Sequence, residues 1–299
     1  MKLILVVELL LLVAFLVLLE RKILGLLQLR KGPNIVRFFG ILQTICDRVK
    51  LIIKEILYTK NKRIAFFFRA PFLALVISIM IWQFIPRVLG NANGGGSVLL
   101  VLLLSSLTVF SIIGASWGSN NVYALVRRVR ATAQMCSYEV VIFLFIRVFV
   151  FPIRFIDWEG LILSQNYYYL WLFGPVFFIM WVVVILAELN RTPFDLVERE
   201  SELVGGYNVE YASFGFTLFF LAEYMSIWFM SAVTVLMFIR FGSGLFMTSF
   251  LVFLMVALVV LLRRLLPRFK FYDLIFLTWR VFLPLVLLIL VFWALFLVY

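Results

Sequence analysis

Long apolar runs decide what this chain can fold into. About 20 apolar residues carry a helix across the ~30 Å hydrocarbon layer of a bilayer. Eight such runs stand at 2–19, 66–86, 98–118, 132–152, 168–188, 214–239, 245–265 and 275–298. With 65% hydrophobic and 14% charged residues and a mean hydropathy of +1.14, the composition lies far from that of soluble domains. The expectation is an all-α integral membrane protein of about eight transmembrane helices, forming one polytopic domain over 1–299.

Charge gives the expected orientation. Lys and Arg gather in the first connection (Arg21, Lys22, Arg30, Lys31, Arg37, Arg48, Lys50, Lys54, Lys60, Lys62, Arg63), the third (Arg127, Arg128, Arg130) and the seventh (Arg263, Arg264, Arg268, Lys270). The opposite connections hold little beyond Arg87, Arg154 and Arg240. The positive-inside rule therefore puts the first, third, fifth and seventh connections inside and both termini outside. A net charge of +12 points to nucleic acid in a soluble protein; here the cations border spans and lack the polar surface of a groove, so no nucleic-acid partner is expected. The first run has no A-x-A-like cleavage site and passes straight into Glu20-Arg21-Lys22, so it reads as a retained span.

What is missing narrows the chemistry. The chain has no histidine and two cysteines, Cys46 and Cys136, far short of the ligands a haem or an iron–sulfur cluster needs. Neither a Walker loop, a G-x-G-x-x-G nor a G-x-S-x-G run occurs, which removes the nucleotide and serine-hydrolase readings. The Gly-rich stretch Asn91–Ser97 reads as a turn between spans.

Two inner connections carry pattern. In the first, Gln28–Asn34 (QLRKGPN) contains Gly32 and Pro33, which end a helix and turn the chain. A short amphipathic helix follows, with Leu42, Ile45, Val49, Ile52, Ile53 and Ile56 on one face and Gln43, Asp47, Lys50 and Lys54 on the other. It is either a surface helix with solvated charges or part of the mouth of a lipid-accessible cavity. The fifth connection is anomalous in a basic chain: Glu188–Ala212 carries Glu188, Asp195, Glu198, Glu200, Glu202 and Glu210 against Arg191 and Arg199. Neighbouring carboxylates raise one another's proton affinity, so the cluster is suited to taking up and releasing protons.

Acids also fall inside the runs: Glu8 in the first, Glu139 in the fourth, Glu188 at the inner end of the fifth and Glu223 in the sixth. An ionisable group at that depth faces the bundle interior or a hydrated cavity, so each is a functional candidate, Glu8 the weakest. The alternative is a neutral or paired acid that only locks helix packing. Arg147, near a span end, is expected to snorkel.

The segments Glu20–Asn34 (ERKILGLLQLRKGPN), Gln134–Val140 (QMCSYEV), Ala187–Ala212 (AELNRTPFDLVERESELVGGYNVEYA) and Phe219–Tyr224 (FFLAEY), in this order, resemble the subunit 1 family of the membrane arm of respiratory complex I, in its mitochondrial form. The resemblance implies a subunit of the H+-translocating NADH:ubiquinone reductase with no complete active site of its own. Ubiquinone is then the substrate, flavin and iron–sulfur clusters sit in partner subunits, and the other membrane-arm and quinone-module subunits and membrane lipids are partners. It further implies a quinone entrance and tunnel with Arg21, Asp47, Lys50, Arg191, Asp195 and Arg268 on its side, a proton-coupling chain through Glu139, Glu188, Glu198, Glu200, Glu202, Glu210 and Glu223, and a mitochondrial inner membrane location.

On that resemblance, quinone reduction changes charge near the fifth connection, and acids with coupled titrations pass the change on as altered proton occupancy. Three departures bear on the transfer: Arg199 stands where the family commonly has Gly, Arg127 and Arg128 replace a small Gly-Ala pair, and Asp273 falls one position late. Two other classes compete: a homologous subunit of a membrane-bound hydrogenase, and an autonomous cation/proton antiporter, which would more naturally show two matching halves with interrupted helices.

Overall fold

The computed structural model describes residues 2–36, 38–55, 63–86, 96–151, 157–164, 175–194, 211, 213–238, 245–267 and 269–298. Among these every regular element is helical. The helices are α1 (Lys2–Leu27), α2 (Gln43–Ile53), α3 (Ile64–Ile81), α4 (Ser97–Ser119), α5 (Val122–Val150), α6 (Trp158–Ser164), α7 (Pro175–Glu188), α8 (Ser213–Phe238), α9 (Leu245–Leu265), α10 (Phe271–Leu277) and α11 (Leu283–Val298), the last two joined by a π-helical turn at Thr278–Phe282.

A helix overlies each of the eight apolar runs, and among the described residues six segments are long and apolar enough to cross a membrane: Ala65–Phe84, Ser97–Ser119, Ala124–Val150, Ser213–Phe238, Phe246–Arg263 and Phe271–Leu295. The other two runs carry α1, 26 residues long with Glu8 and Glu20 within it, and α7, of which 14 residues are described. The expected count of eight therefore rests on the sequence.

Burial sorts the bundle. In α8, 72% of the apolar window is buried, against 22% in Phe271–Leu295, so α8 is the central post and the C-terminal helices form a flank. It packs against α3, α9, α2 and α1, while α4 lies between α3 and α5, and α5 carries α7 and α11. The α3–α4 contact is close because Gly118 has no side chain: a Cβ there would lie 2.6 Å from the Phe67 amide nitrogen. Aromatic rings fill one end of the core, with Phe145 5.6 Å from Trp181 and Phe149 5.1 Å from Phe238 between centroids. Apolar side chains on α1 (Ile4, Val7, Leu11) and α11 (Leu288, Val291, Phe292) stay exposed, as on a surface that meets lipid or other apolar chains.

The turn expected at Gln28–Asn34 is present, with its geometry set by the end of α1. Leu29 adopts a left-handed conformation (φ 58°) and the Arg30 amide donates to the Gly25 carbonyl at 3.0 Å, a Schellman-type closure. The chain then doubles back so tightly that a Cβ on Gly32 would lie 3.0 Å from Lys22 Cα. That return sets α2 beside α1 and α8. Helix α2 is amphipathic as expected, with Ile45, Val49, Ile52 and Ile53 exposed on its apolar side; Ile56 lies outside the described residues.

Two boundaries differ from expectation. Helix α1 runs to Leu27, past the first run's end at 19, and takes in Arg21 and Lys22. The basic residues assigned to the third connection are helical: α5 starts at Val122, ten residues before the apolar run, and the connection shrinks to Asn120–Asn121, with Asn120 in the left-handed region (φ 50°). Arg127 and Arg128 are buried there against neighbouring helices.

Candidate functional site

Two polar centres lie inside this apolar frame, and Arg191 joins them. The first surrounds Glu20, a buried acid in the last third of α1. Its carboxylate is ion-paired with Arg263 at the end of α9 and lies 3.5 Å from Arg191 just past α7. The Tyr224 hydroxyl on α8 donates to the other carboxylate oxygen at 2.5 Å, and the Arg191 guanidinium sits over the Tyr224 ring, 4.7 Å from its centroid. An isolated ion here would cost several kcal/mol; two guanidiniums and a hydroxyl around one carboxylate satisfy it.

On the solvent side of this cluster Arg21 donates to Asp47 at 2.6 Å, tying α1 to α2, and Gln43 donates to the other Asp47 oxygen at 3.0 Å. Lys50 is exposed one turn further along α2. Arg48, between them, turns inward: its Nη2 is buried and makes no hydrogen bond, and burial lowers its proton affinity, opposed by the field of Tyr224.

The second centre is a cavity between α3, α4, α5, α7 and α8. Glu188, Asn190, Arg191 and Glu223 line it, together with the hydroxyls of Ser78, Ser105, Thr108, Ser111 and Ser226. Glu188 is 9% exposed, and its Oε2 has no hydrogen-bond partner; Asn190 Oδ1 is likewise buried and unbonded. Glu139 reaches the cavity wall through Ser105, whose hydroxyl lies 3.5 Å from Glu139 Oε1.

The chain between α7 and the acidic loop is held by side chains from elsewhere. Buried Gln134 on α5 donates to the carbonyls of Ala187 (2.9 Å) and Phe194 (3.2 Å). Thr192 donates to the Arg263 carbonyl at 2.8 Å, the Phe269 amide donates to the Pro193 carbonyl at 3.2 Å, and the Thr192–Pro193 peptide is cis.

At the far end of the loop, Tyr211 stacks on Phe67 with 4.1 Å between centroids, and Arg128 lies over the rings of Tyr211 and Phe219 while donating to the Ile112 carbonyl at 2.9 Å. Burial raises the proton affinity of the Tyr211 phenol in spite of the nearby guanidinium.

Of the residues singled out in the sequence, Glu188 and Glu223 share one cavity, Glu139 adjoins it, Arg191 bridges to Glu20, and Arg21 pairs with Asp47. Glu8 is exposed on α1, and Arg147 is exposed in the last turn of α5, as a snorkelling side chain requires. Asp195, Glu198, Arg199, Glu200, Glu202, Glu210 and Arg268 lie outside the described residues. Sequence reasoning missed Glu20 as a site residue, and with it Tyr224 and Arg263 as its partners. A carboxylate at the end of an apolar run, just before Arg21 and Lys22, was the available signal.

A helical membrane protein with one buried acid held by arginines and another lining an interior cavity is the class that fold and site define. A family profile described as NADH dehydrogenase matches residues 1–294, and the chain belongs to that family. It is 43% identical to the NADH-ubiquinone oxidoreductase chain 1 of Branchiostoma lanceolatum over 93% of this chain and 89% of the relative. Proteins of the same name from Lampetra fluviatilis (43% identity, 95% and 90% coverage) and Aedes aegypti (42%, 91% and 87%) are similarly related.

Proposed function

We propose that this chain is the membrane subunit of a proton-pumping NADH:ubiquinone oxidoreductase that forms the quinone entrance and tunnel and couples quinone reduction to proton movement through its buried acids. Its setting on this reading is the mitochondrial inner membrane, with eight spans and the other membrane-arm and quinone-module subunits as neighbours.

The observation that carries the reading is the abutment of the two centres at Arg191. One contact of that residue belongs to the Glu20 cluster beside the amphipathic α2; another lines the cavity of Glu188 and Glu223. A quinone has a greasy tail and a polar head: the exposed apolar side of α2 suits the tail, and Arg21, Asp47, Lys50 and Arg191 are polar groups able to orient the head. Charge change at the head then acts through Arg191 on the acids behind it. Asp195 and Arg268 on the tunnel side, and Glu198, Glu200, Glu202 and Glu210 in the coupling chain, complete the proposal from sequence.

The test is photo-crosslinking of the native assembly with an azido-ubiquinone and an inhibitor of quinone reduction as competitor. Inhibitor-sensitive label in 20–54 or 188–224 of this chain, in a complex that oxidises NADH, is the expected result. No label, with the chain migrating alone, overturns the reading in favour of an autonomous transporter.

A further inference from the structure

The opening turns of α3 and α8 enclose a recess of about 290 Å³. Its base is the pair of buried rings Phe67 and Tyr211, stacked with 4.1 Å between centroids. Gly215 lets the Tyr211 ring lie against α8, since a Cβ there would meet the ring at 2.8 Å. Phe68, Phe72, Phe214 and Leu218 wall the sides, and among the described lining residues Arg69 alone carries a charge.

Arg69 stands on an otherwise apolar surface. Spacings of three and four residues put it on one face of α3 with Phe66, Phe72 and Leu73, all of them exposed as it is. That face belongs to the segment Ala65–Phe84, long and apolar enough to cross a membrane. Among the described residues Arg69 has no hydrogen-bond or ion-pair partner. A cation on such a stripe is costly until its head reaches water or an anion. Four residues of helix carry the Arg69 Cα about 6 Å into that segment, so the long side chain reaches back to headgroup level. Phosphates stand at that level, and a guanidinium holds a phosphate through two parallel hydrogen bonds.

We propose that this recess binds an anionic phospholipid of the leaflet on the expected inner side, with an acyl chain between the rings and the phosphate on Arg69. Two other occupants fit less well. Helices α3 and α8 pack directly on each other, so the space between their opening turns admits a hydrocarbon chain but not a third helix about 10 Å across. A neighbouring helix would also have to carry an acid into hydrocarbon to pair with Arg69, whereas a lipid brings its phosphate at headgroup depth. A quinone tail suits the rings, but its neutral head brings no charge to the guanidinium. The recess shares no lining residue with the cavity of Glu188 and Glu223, and the inference does not need the quinone assignment.

The test reconstitutes the intact complex in phosphatidylcholine vesicles that contain a trace of phospholipid with a photoreactive diazirine on one acyl chain. The headgroup of that probe is phosphatidylglycerol in one series and phosphatidylcholine in the other. Peptide mapping should find label on 66–72 or 214–218, about fivefold stronger with phosphatidylglycerol, the preference that one cation near the surface confers. Arg69→Leu should bring the two probes level, and Leu218→Trp, which fills the recess, should lower both. Equal labelling by the two probes in the unaltered complex overturns the proposal and needs no variant to assemble. A preference that survives Arg69→Leu overturns it as well. Absence of label from both segments overturns it in favour of a protein neighbour on this face, and displacement of the label by an inhibitor of quinone reduction does so in favour of the quinone tail. The tunnel reading stands or falls separately, on azido-ubiquinone labelling.

Discussion

The Tyr224 hydroxyl donates to the Glu20 carboxylate at 2.5 Å, joining residues 204 positions apart at the meeting of α1 and α8. Arg263 and Arg191 complete the ring around that carboxylate, so α1, the α7 end, α8 and α9 share one buried polar node. Removing its neutral and its charged members should have different effects. Tyr224→Phe takes away one donor from an acid that keeps both arginines, at about 1–3 kcal/mol, and is expected to leave assembly intact. Glu20→Gln leaves two guanidiniums facing each other inside the bundle, at about 3–5 kcal/mol, and is expected to deplete the assembled complex several-fold. Native gel quantification of both variants decides; equal loss in both contradicts the node.

Gln134 bonds two carbonyls, Ala187 and Phe194, that lie on either side of the Asn190–Pro193 turn. Gln134→Leu keeps the volume and takes the side-chain donor from both carbonyls; Ala187 still accepts from the Asn190 amide at 3.2 Å, so the expected cost of about 1–3 kcal/mol falls on Phe194. The 188–194 backbone should then exchange its amide hydrogens faster than in the unaltered protein, with α8 exchange unchanged. Hydrogen-exchange mass spectrometry on the intact complex reads this directly.

The Arg21–Asp47 ion pair contrasts with the Glu20 node because its side chains are 45% and 34% exposed. Water screens such a pair, and its contribution is about 0.2–1 kcal/mol. Asp47→Asn should leave the melting temperature of the complex nearly unchanged. If the quinone reading holds, the same variant raises KM for a short-chain quinone more than it lowers kcat. A large loss of thermal stability with an unchanged KM contradicts both expectations.

Arg128 and Tyr211 give a pH prediction. The Tyr211 phenol holds its proton more tightly in the folded protein than in the unfolded chain, so no stability is lost from this group below about pH 10, the ordinary phenol value. Above it the unfolded chain releases a proton the folded one keeps, and stability falls as pH rises toward the higher folded value. Tyr211→Phe should flatten that alkaline decline in a thermal-melt series. Arg128→Met removes the guanidinium that favours the phenolate and should move the Tyr211 absorbance change to still higher pH.

The helical framework was legible because lipid-spanning runs announce themselves by length, and each of the eight has a helix on it. The amphipathic α2 was legible from its period, and depth within a run marked Glu188 and Glu223 each as a candidate; that they line one cavity came from the structure. Charge pattern failed where burial reversed its meaning. Arg127 and Arg128 read as a solvated connection, yet they lie in the first turns of a helix, where the buried Arg128 guanidinium lies over aromatic rings and donates to the Ile112 carbonyl of α4. Glu20 escaped because its partners come from positions 204 and 243 residues away, and no local pattern carries a contact of that range.

The two-residue link between α4 and α5 bears on how the chain enters a bilayer. Arg128 is 1% exposed, and its carbonyl acceptor, Ile112, lies only 16 positions earlier on the preceding helix. A guanidinium placed alone in hydrocarbon costs at least about 2.5 kcal/mol. One partner that offsets part of this cost is synthesised first and is already at hand when α5 emerges, so helices α4 and α5 are suited to insert as one hairpin, with the Tyr211 and Phe219 rings added later.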